Sequence, residues 1–140
     1  MITTTLLSFI LCINVTSTDF LDAVCKVESN CNPSAIGDNG NAIGAYQIWK
    51  SYWQDAVEHD PSIGGVYKDC LNKAYSEKIV RAYMDRYATE RRLGRPVTDE
   101  DRARMHNGGP RAVWATGKKK RNLDIYWGKV KRELGGKKPS

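Results

Sequence analysis

Cys25-Lys26-Val27-Glu28-Ser29-Asn30-Cys31 is followed closely by Ile36-Gly37-Asp38-Asn39-Gly40-Asn41 and then by Gly44-Ala45-Tyr46-Gln47-Ile48. Upstream, Asp19 to Val27 places Phe20, Val24 and Val27 on one face at helical spacing, so a short helix is expected there. Glu28 projects from its last turn. The Gly- and Asn-rich segment from Pro33 to Ala45, with Asp38-Asn39-Gly40-Asn41 at its centre, reads as a small hairpin or looped β-segment. The stretch therefore sets one carboxylate at a helix end and a second in a turn able to fold back over it.

Helical patterns dominate the rest of the chain. Trp49 to Glu58 reads as a helix ended by Asp60-Pro61 and Gly64-Gly65. A longer helix is expected over Tyr67 to Thr89, where Ile79, Val80, Tyr83, Met84 and Tyr87 form a core-facing stripe rather than a ligand platform. Arg95-Pro96-Val97 breaks the chain, and Thr98 is a natural N-cap for a helix whose first turn carries Asp99, Glu100 and Asp101. That helix stops at His106-Asn107-Gly108-Gly109-Pro110, and a final one covers Leu123 to Leu134. The expected fold class is α+β, mainly α: a helical body with one small β-lobe.

The chain has 140 residues, enough for one domain with a modest core. No apolar run approaches the roughly 18 residues of a membrane-spanning helix. Leu6 to Val15 is a shorter apolar run followed by Thr16 and Ser17, so residues 1–17 read as a secretory signal and 18–140 as one secreted, extracellular domain. Removing Cys12 with that signal leaves Cys25, Cys31 and Cys70, an odd number that implies a free thiol or a bond between chains. Cys25–Cys31, bridging around Glu28, is the preferred pair, and Cys25–Cys70 the alternative. The two histidines, His59 and His106, have no Cys-x-x-Cys nearby, so neither a metal site nor a cofactor is expected.

Charge is uneven. From Arg111 onward ten Lys and Arg residues face only Asp124 and Glu133, a net of +8 in a chain of +6, which leaves −2 for everything before. Such a basic C-terminal tail suits an anionic bacterial surface. It lacks aromatics interleaved for stacking bases, apart from core-like Tyr126 and Trp127, so no specific nucleic acid is expected as a partner.

Paired carboxylates in these two settings fit glycosidic bond cleavage, in which one acid protonates the leaving oxygen while positive charge builds on the sugar. Glu28, behind Val24 and Val27 and at a helix C-terminus, is placed to hold its proton near neutral pH. Asp38, among Asn39 and Asn41, is expected to stay ionised and to act as nucleophile, electrostatic partner or orienter of a water.

Four segments taken in order, Cys25 to Ile48, Tyr52-Trp53, Tyr83 to Thr89, and His106-Asn107-Gly108-Gly109-Pro110, resemble the invertebrate-type lysozymes, the family that includes destabilase. The resemblance runs from about Asp19 to Trp127. It implies a lysozyme-like fold whose β-lobe borders a substrate cleft, a general acid at Glu28 and a second carboxylate at Asp38. It also implies substrate contacts from Ser29, Tyr46, Gln47, His106, Asn107 and Gly108. Family members are rich in disulfides, whereas this chain keeps three cysteines. The serine credited with isopeptidase activity in some relatives falls here on Ala42 or Ile43, so that activity is not expected.

The implied function is hydrolysis of the β-1,4 bond between N-acetylmuramic acid and N-acetylglucosamine in peptidoglycan by a secreted monomer. Two alternatives remain open. One is a lytic transglycosylase using Glu28 alone; the other is a non-catalytic cationic protein that binds peptidoglycan through its basic end.

Overall fold

The computed structural model describes residues 16–136. The apolar run from Leu6 to Val15 and the last four residues lie outside the described residues, and with them residues 1–15 of the expected signal; its last two, Thr16 and Ser17, are described, and Ser17 caps the first helix. Among the described residues, six α-helices and one small sheet, joined by short 3-10 turns, follow in the order α1 (Thr18–Ser29), β1 (Ile36–Gly37), β2 (Ala42–Ile43), β3 (Ile48–Trp49), α2 (Lys50–His59), α3 (Lys73–Tyr87), α4 (Glu90–Leu93), α5 (Asp99–Gly108) and α6 (Gly117–Gly135). The mainly helical body with a three-stranded β-lobe agrees with the expectation.

Helix α1 begins at Ser17, whose side chain accepts from the Phe20 amide, and buries Phe20, Leu21, Val24 and Cys25. Its C-terminus is closed twice. Asn30 takes the left-handed conformation and the Asn30 and Cys31 amides donate to the carbonyls of Lys26 and Cys25, a common helix stop. Cys25 and Cys31 are joined in a disulfide. Both closures act on the turn that carries Glu28. Cys70 is free and fully buried, so in the folded protein it is not available to another chain.

The sheet is antiparallel in the order β1-β2-β3, with Ile36 opposite Ile43, Gly37 opposite Ala42, and Ala42 opposite Trp49. Asp38, Asn39 and Gly40 in the connecting turn all have positive φ, at 48°, 55° and 89°. Asp, Asn and Gly are the residues that accept such a conformation at low cost, which is why this tripeptide makes the turn. Gly44 is required for a different reason. Its φ is 81°, and a Cβ there would lie 2.0 Å from the Cys70 carbonyl oxygen.

The structure differs from the sequence reading in three places, one of them α4, a single turn capped by Thr89 where no helix is expected. The segment expected as one helix over Tyr67–Thr89 is split into a 3-10 turn at Tyr67–Leu71 and α3, because the Asn72 side chain accepts from the Tyr75 amide and restarts the helix. Helix α6 begins at Gly117, six residues before the expected Leu123, because its first two turns are lysine-rich and exposed and carry no apolar period. The Thr98 cap is as expected, and Asp101 completes a capping box by accepting from the Thr98 amide at 2.9 Å.

The core joins α1, α3, α5 and α6 through Phe20, Val24, Ile79, Val80, Met105 and Val130. Both α1 and α5 pack on α6, and α2 packs along α3; the ends of α1 and α5 reach the β-lobe through Ser29, bonded to the Ala45 carbonyl, and His106, bonded to the Tyr46 carbonyl. No helix among the described residues is long and apolar enough to cross a membrane.

Candidate active site

A cavity of about 410 Å³ opens between the end of α1, the β-lobe and the α5 terminus, lined by Glu28, Gly37, Asp38, Gln47, Trp49, His106 and Asn107. A second cavity of about 240 Å³ shares Trp49, His106 and Asn107 and continues past Tyr52, Asp55 and Pro110. The two form one groove. Both carboxylates singled out in the sequence face its first half.

Glu28 is largely buried, with 16 % of its side chain exposed. Burial pushes its carboxyl up to about 7; a hydrogen bond from Tyr126 works against that rise, the Asp38 charge adds to it, and Lys129 offsets part. The Tyr126 hydroxyl, on α6, donates to Glu28 Oε1 at 2.8 Å. A carboxylic acid that still carries its proton on about half of the molecules at pH 7, and on most of them below it, is therefore held against a groove that also presents Asp38.

His106 is fixed by two hydrogen bonds. Its Nε2 lies 3.0 Å from the Tyr46 carbonyl oxygen, which only accepts, so Nε2 carries the proton. Nδ1 is then the acceptor for the Tyr52 hydroxyl at 3.0 Å. Burial holds the imidazole down at about 4, so at neutral pH it is uncharged. Its 3.6 Å approach to Glu28 Oε1 is thus a contact and not an ion pair. Tyr52 in turn stacks on Tyr83 with ring centroids 3.6 Å apart.

Gln47 has a φ of 49°, and its side chain accounts for it. Nε2 donates to the carbonyls of Ala35 and Gly44, at 3.3 and 3.0 Å, tying the base of the hairpin to the following turn. A Cβ at Gly37 would come within 2.2 Å of Gln47 Oε1, so the glycine lets the carboxamide lie against β1. Gln47 thereby sets the hairpin that carries Asp38, and it also lines the cavity.

The loop after α5 is held by Arg92, which donates to the Tyr87 carbonyl at 2.7 Å and the Pro110 carbonyl at 3.2 Å. The same guanidinium lies over the rings of Tyr87 and Trp114.

Three residues expected at the substrate sit elsewhere. Ser29 Oγ donates to the Ala45 carbonyl at 2.7 Å and accepts from the Asn32 amide, joining α1 to the β-lobe instead of lining the groove. Tyr46 is fully buried, with its hydroxyl on Glu77 at 3.2 Å; only its carbonyl takes part, by holding His106. Gly108 packs against α6, where a Cβ would meet Leu123 at 2.8 Å, and it is Gly109 that borders the groove. Sequence reading missed Trp49, which is half-exposed where the cavities join, and the Tyr126 contact. The Tyr126 contact spans 98 residues, and no local pattern signals it.

Comparison with known proteins bears on the family and the fold. The family model described as Destabilase matches residues 17–132. Lysozyme 1 of Crassostrea virginica is 38 % identical over 116 residues, covering 81 % of this chain and 57 % of the relative, so the chain spans little more than half of that protein. A lysozyme of Magallana gigas is 35 % identical over 130 residues, covering 89 % and 85 %. Among solved structures, Tapes japonica lysozyme superposes with a TM-score of 0.66 at 31 % identity, covering 83 % of this chain and 89 % of that one.

Proposed function

The chain belongs to the destabilase family of invertebrate-type lysozymes, and from that membership we propose that it hydrolyses the β-1,4 bond between N-acetylmuramic acid and N-acetylglucosamine in peptidoglycan. The observation that carries this reading is Glu28: a buried carboxyl, pushed up to about 7, in one groove with Asp38. Glu28 gives its proton to the glycosidic oxygen as the bond to the sugar carbon breaks. Asp38, which lines the same cavity, stabilises the positive charge on the ring, either as the nucleophile or through its field. Asn107 offers its amide group and Gln47 its accepting Oε1 to the N-acetyl substituents, and the exposed indole of Trp49 offers a flat apolar face to a sugar ring.

The disulfide at the end of α1 suits an oxidising compartment, in line with secretion. On α6, exposed Lys118, Lys119, Arg121, Lys129, Lys131 and Arg132 form a cationic surface that supports adhesion to anionic cell walls. Ala42 and Ile43 are buried in β2, so isopeptidase chemistry is not part of the proposal.

Incubation with purified cell walls, followed by mass analysis of the released fragments, tests the reading. The expected products end in reducing N-acetylmuramic acid, and Glu28→Gln should release none. Anhydro-sugar products would instead assign the single-acid transglycosylase route. No release by the unmodified protein would leave only the binding role.

A further inference from the structure

We infer that Tyr126 is a positioning residue for the acid, fixing which oxygen of Glu28 carries the transferable proton and stabilising the carboxylate as that proton leaves. This goes beyond the assignment of Glu28 as the acid, and it rests on that assignment.

Geometry carries the inference. Tyr126 comes from α6, is 8 % exposed, and places its hydroxyl 2.8 Å from Glu28 Oε1. Among the described residues that hydroxyl makes no other hydrogen bond, so its hydrogen points at Glu28 or is left buried and unpaired, which is costly. His106, the other polar group near Oε1, has its Nε2 hydrogen committed to the Tyr46 carbonyl. Oε1 is therefore the accepting oxygen, and the acid proton resides on Oε2. No hydrogen bond from the described residues engages Oε2, while the Glu28 side chain borders the groove. The proton is thus presented to substrate instead of being shared between two oxygens.

The same contact acts during the reaction. When the Oε2–H bond breaks, the proton passes to the leaving oxygen and the electron pair stays on the carboxylate, spread over both oxygens. The hydrogen bond from Tyr126 then has a charged acceptor and becomes roughly twice as strong. Only an interaction that strengthens toward the transition state raises the rate of the chemical step. The Tyr126 hydrogen bond shifts Glu28 toward the ionised form, as this role requires. Burial keeps the phenol itself protonated, well above its ordinary range, so it donates throughout the working pH.

A tyrosine serving only to fill the core would act otherwise on removal of its hydroxyl, lowering stability without moving the titration of Glu28. The test is Tyr126→Phe, assayed on a soluble chito-oligosaccharide or muropeptide from pH 4 to 9. The expected result is a fall in kcat of about tenfold with KM changed less than twofold. The alkaline limb of the profile should move up by about one pH unit, because the lost donor favoured the ionised acid. An alkaline limb that stays in place or moves down overturns the inference. If turnover becomes too slow to measure, titration of Glu28 by carbon NMR in the same variant reads the same shift directly. Glu28→Gln run alongside separates the two claims: full activity there defeats the acid assignment, whereas an inactive Gln variant with an unshifted Phe profile defeats only the role of Tyr126.

Discussion

Glu28→Gln should make the protein more stable at pH 8 while removing its activity. The magnitude follows from two buried groups that titrate in opposite senses. Glu28 is raised from 4.5 to about 7, so the stability tied to its proton is full below pH 4.5 and is lost as pH rises through 7. That difference corresponds to about 3 kcal/mol. His106 is lowered from 6.5 to about 4, so its contribution is full above pH 6.5 and is lost as pH falls through 4, again about 3 kcal/mol. In the unmodified protein the two nearly cancel, and stability should be almost flat between pH 4 and 7. Glutamine keeps an oxygen for Tyr126 to donate to but cannot ionise, so the variant exposes the His106 contribution alone. Its stability should climb by about 3 kcal/mol over that window and exceed the parent at pH 8 by a similar amount, roughly 10 °C in Tm. Urea unfolding at half-unit pH steps is the assay. Parallel curves for the two proteins would refute the reasoning, since they would mean that Glu28 has the same affinity for its proton folded and unfolded.

Four further outcomes are expected. Asp38→Asn should lower hydrolysis by roughly 100-fold or more without loss of fold, read from product release and circular dichroism; near-normal turnover would favour catalysis by Glu28 alone. Gly44→Ala forces a side chain into a left-handed position against the Cys70 carbonyl and should cost roughly 2–4 kcal/mol in denaturant unfolding. Arg92→Ala frees the loop at Pro110, so KM should rise several-fold with little change in kcat, and amide exchange across 106–110 should quicken. Lysis of whole cell walls should fall as ionic strength rises from 0.01 to about 0.3 M, whereas cleavage of a short neutral oligosaccharide should barely respond, because only the first uses the basic face of α6.

What could be read from the sequence was what is written locally. Thr98 and Asp101 announce the start of α5 because a capping box lies within four residues, and Asp38-Asn39-Gly40 announces its turn because few other residues tolerate positive φ. Glu28 and Asp38 could be paired because ten residues and one turn separate them. The start of α6 was hidden, since solvated lysines leave no period to detect. The resemblance implies substrate contacts from Ser29 and Tyr46, yet Ser29 spends its hydroxyl on the Ala45 carbonyl and Tyr46 turns its ring into the core toward Glu77, long-range contacts that no local motif reveals. Tyr126 reads as core, and it is core; its second task depends on α6 packing against α1, a contact between distant segments that no window of sequence contains.

The most direct test of the account is the titration of the Glu28 carboxyl itself, followed by carbon NMR in protein labelled at glutamate. A midpoint near 7 is predicted, coinciding with the alkaline limb of the activity profile. A midpoint near the ordinary 4.5 would leave no proton on Glu28 at neutral pH and would contradict its role as the acid.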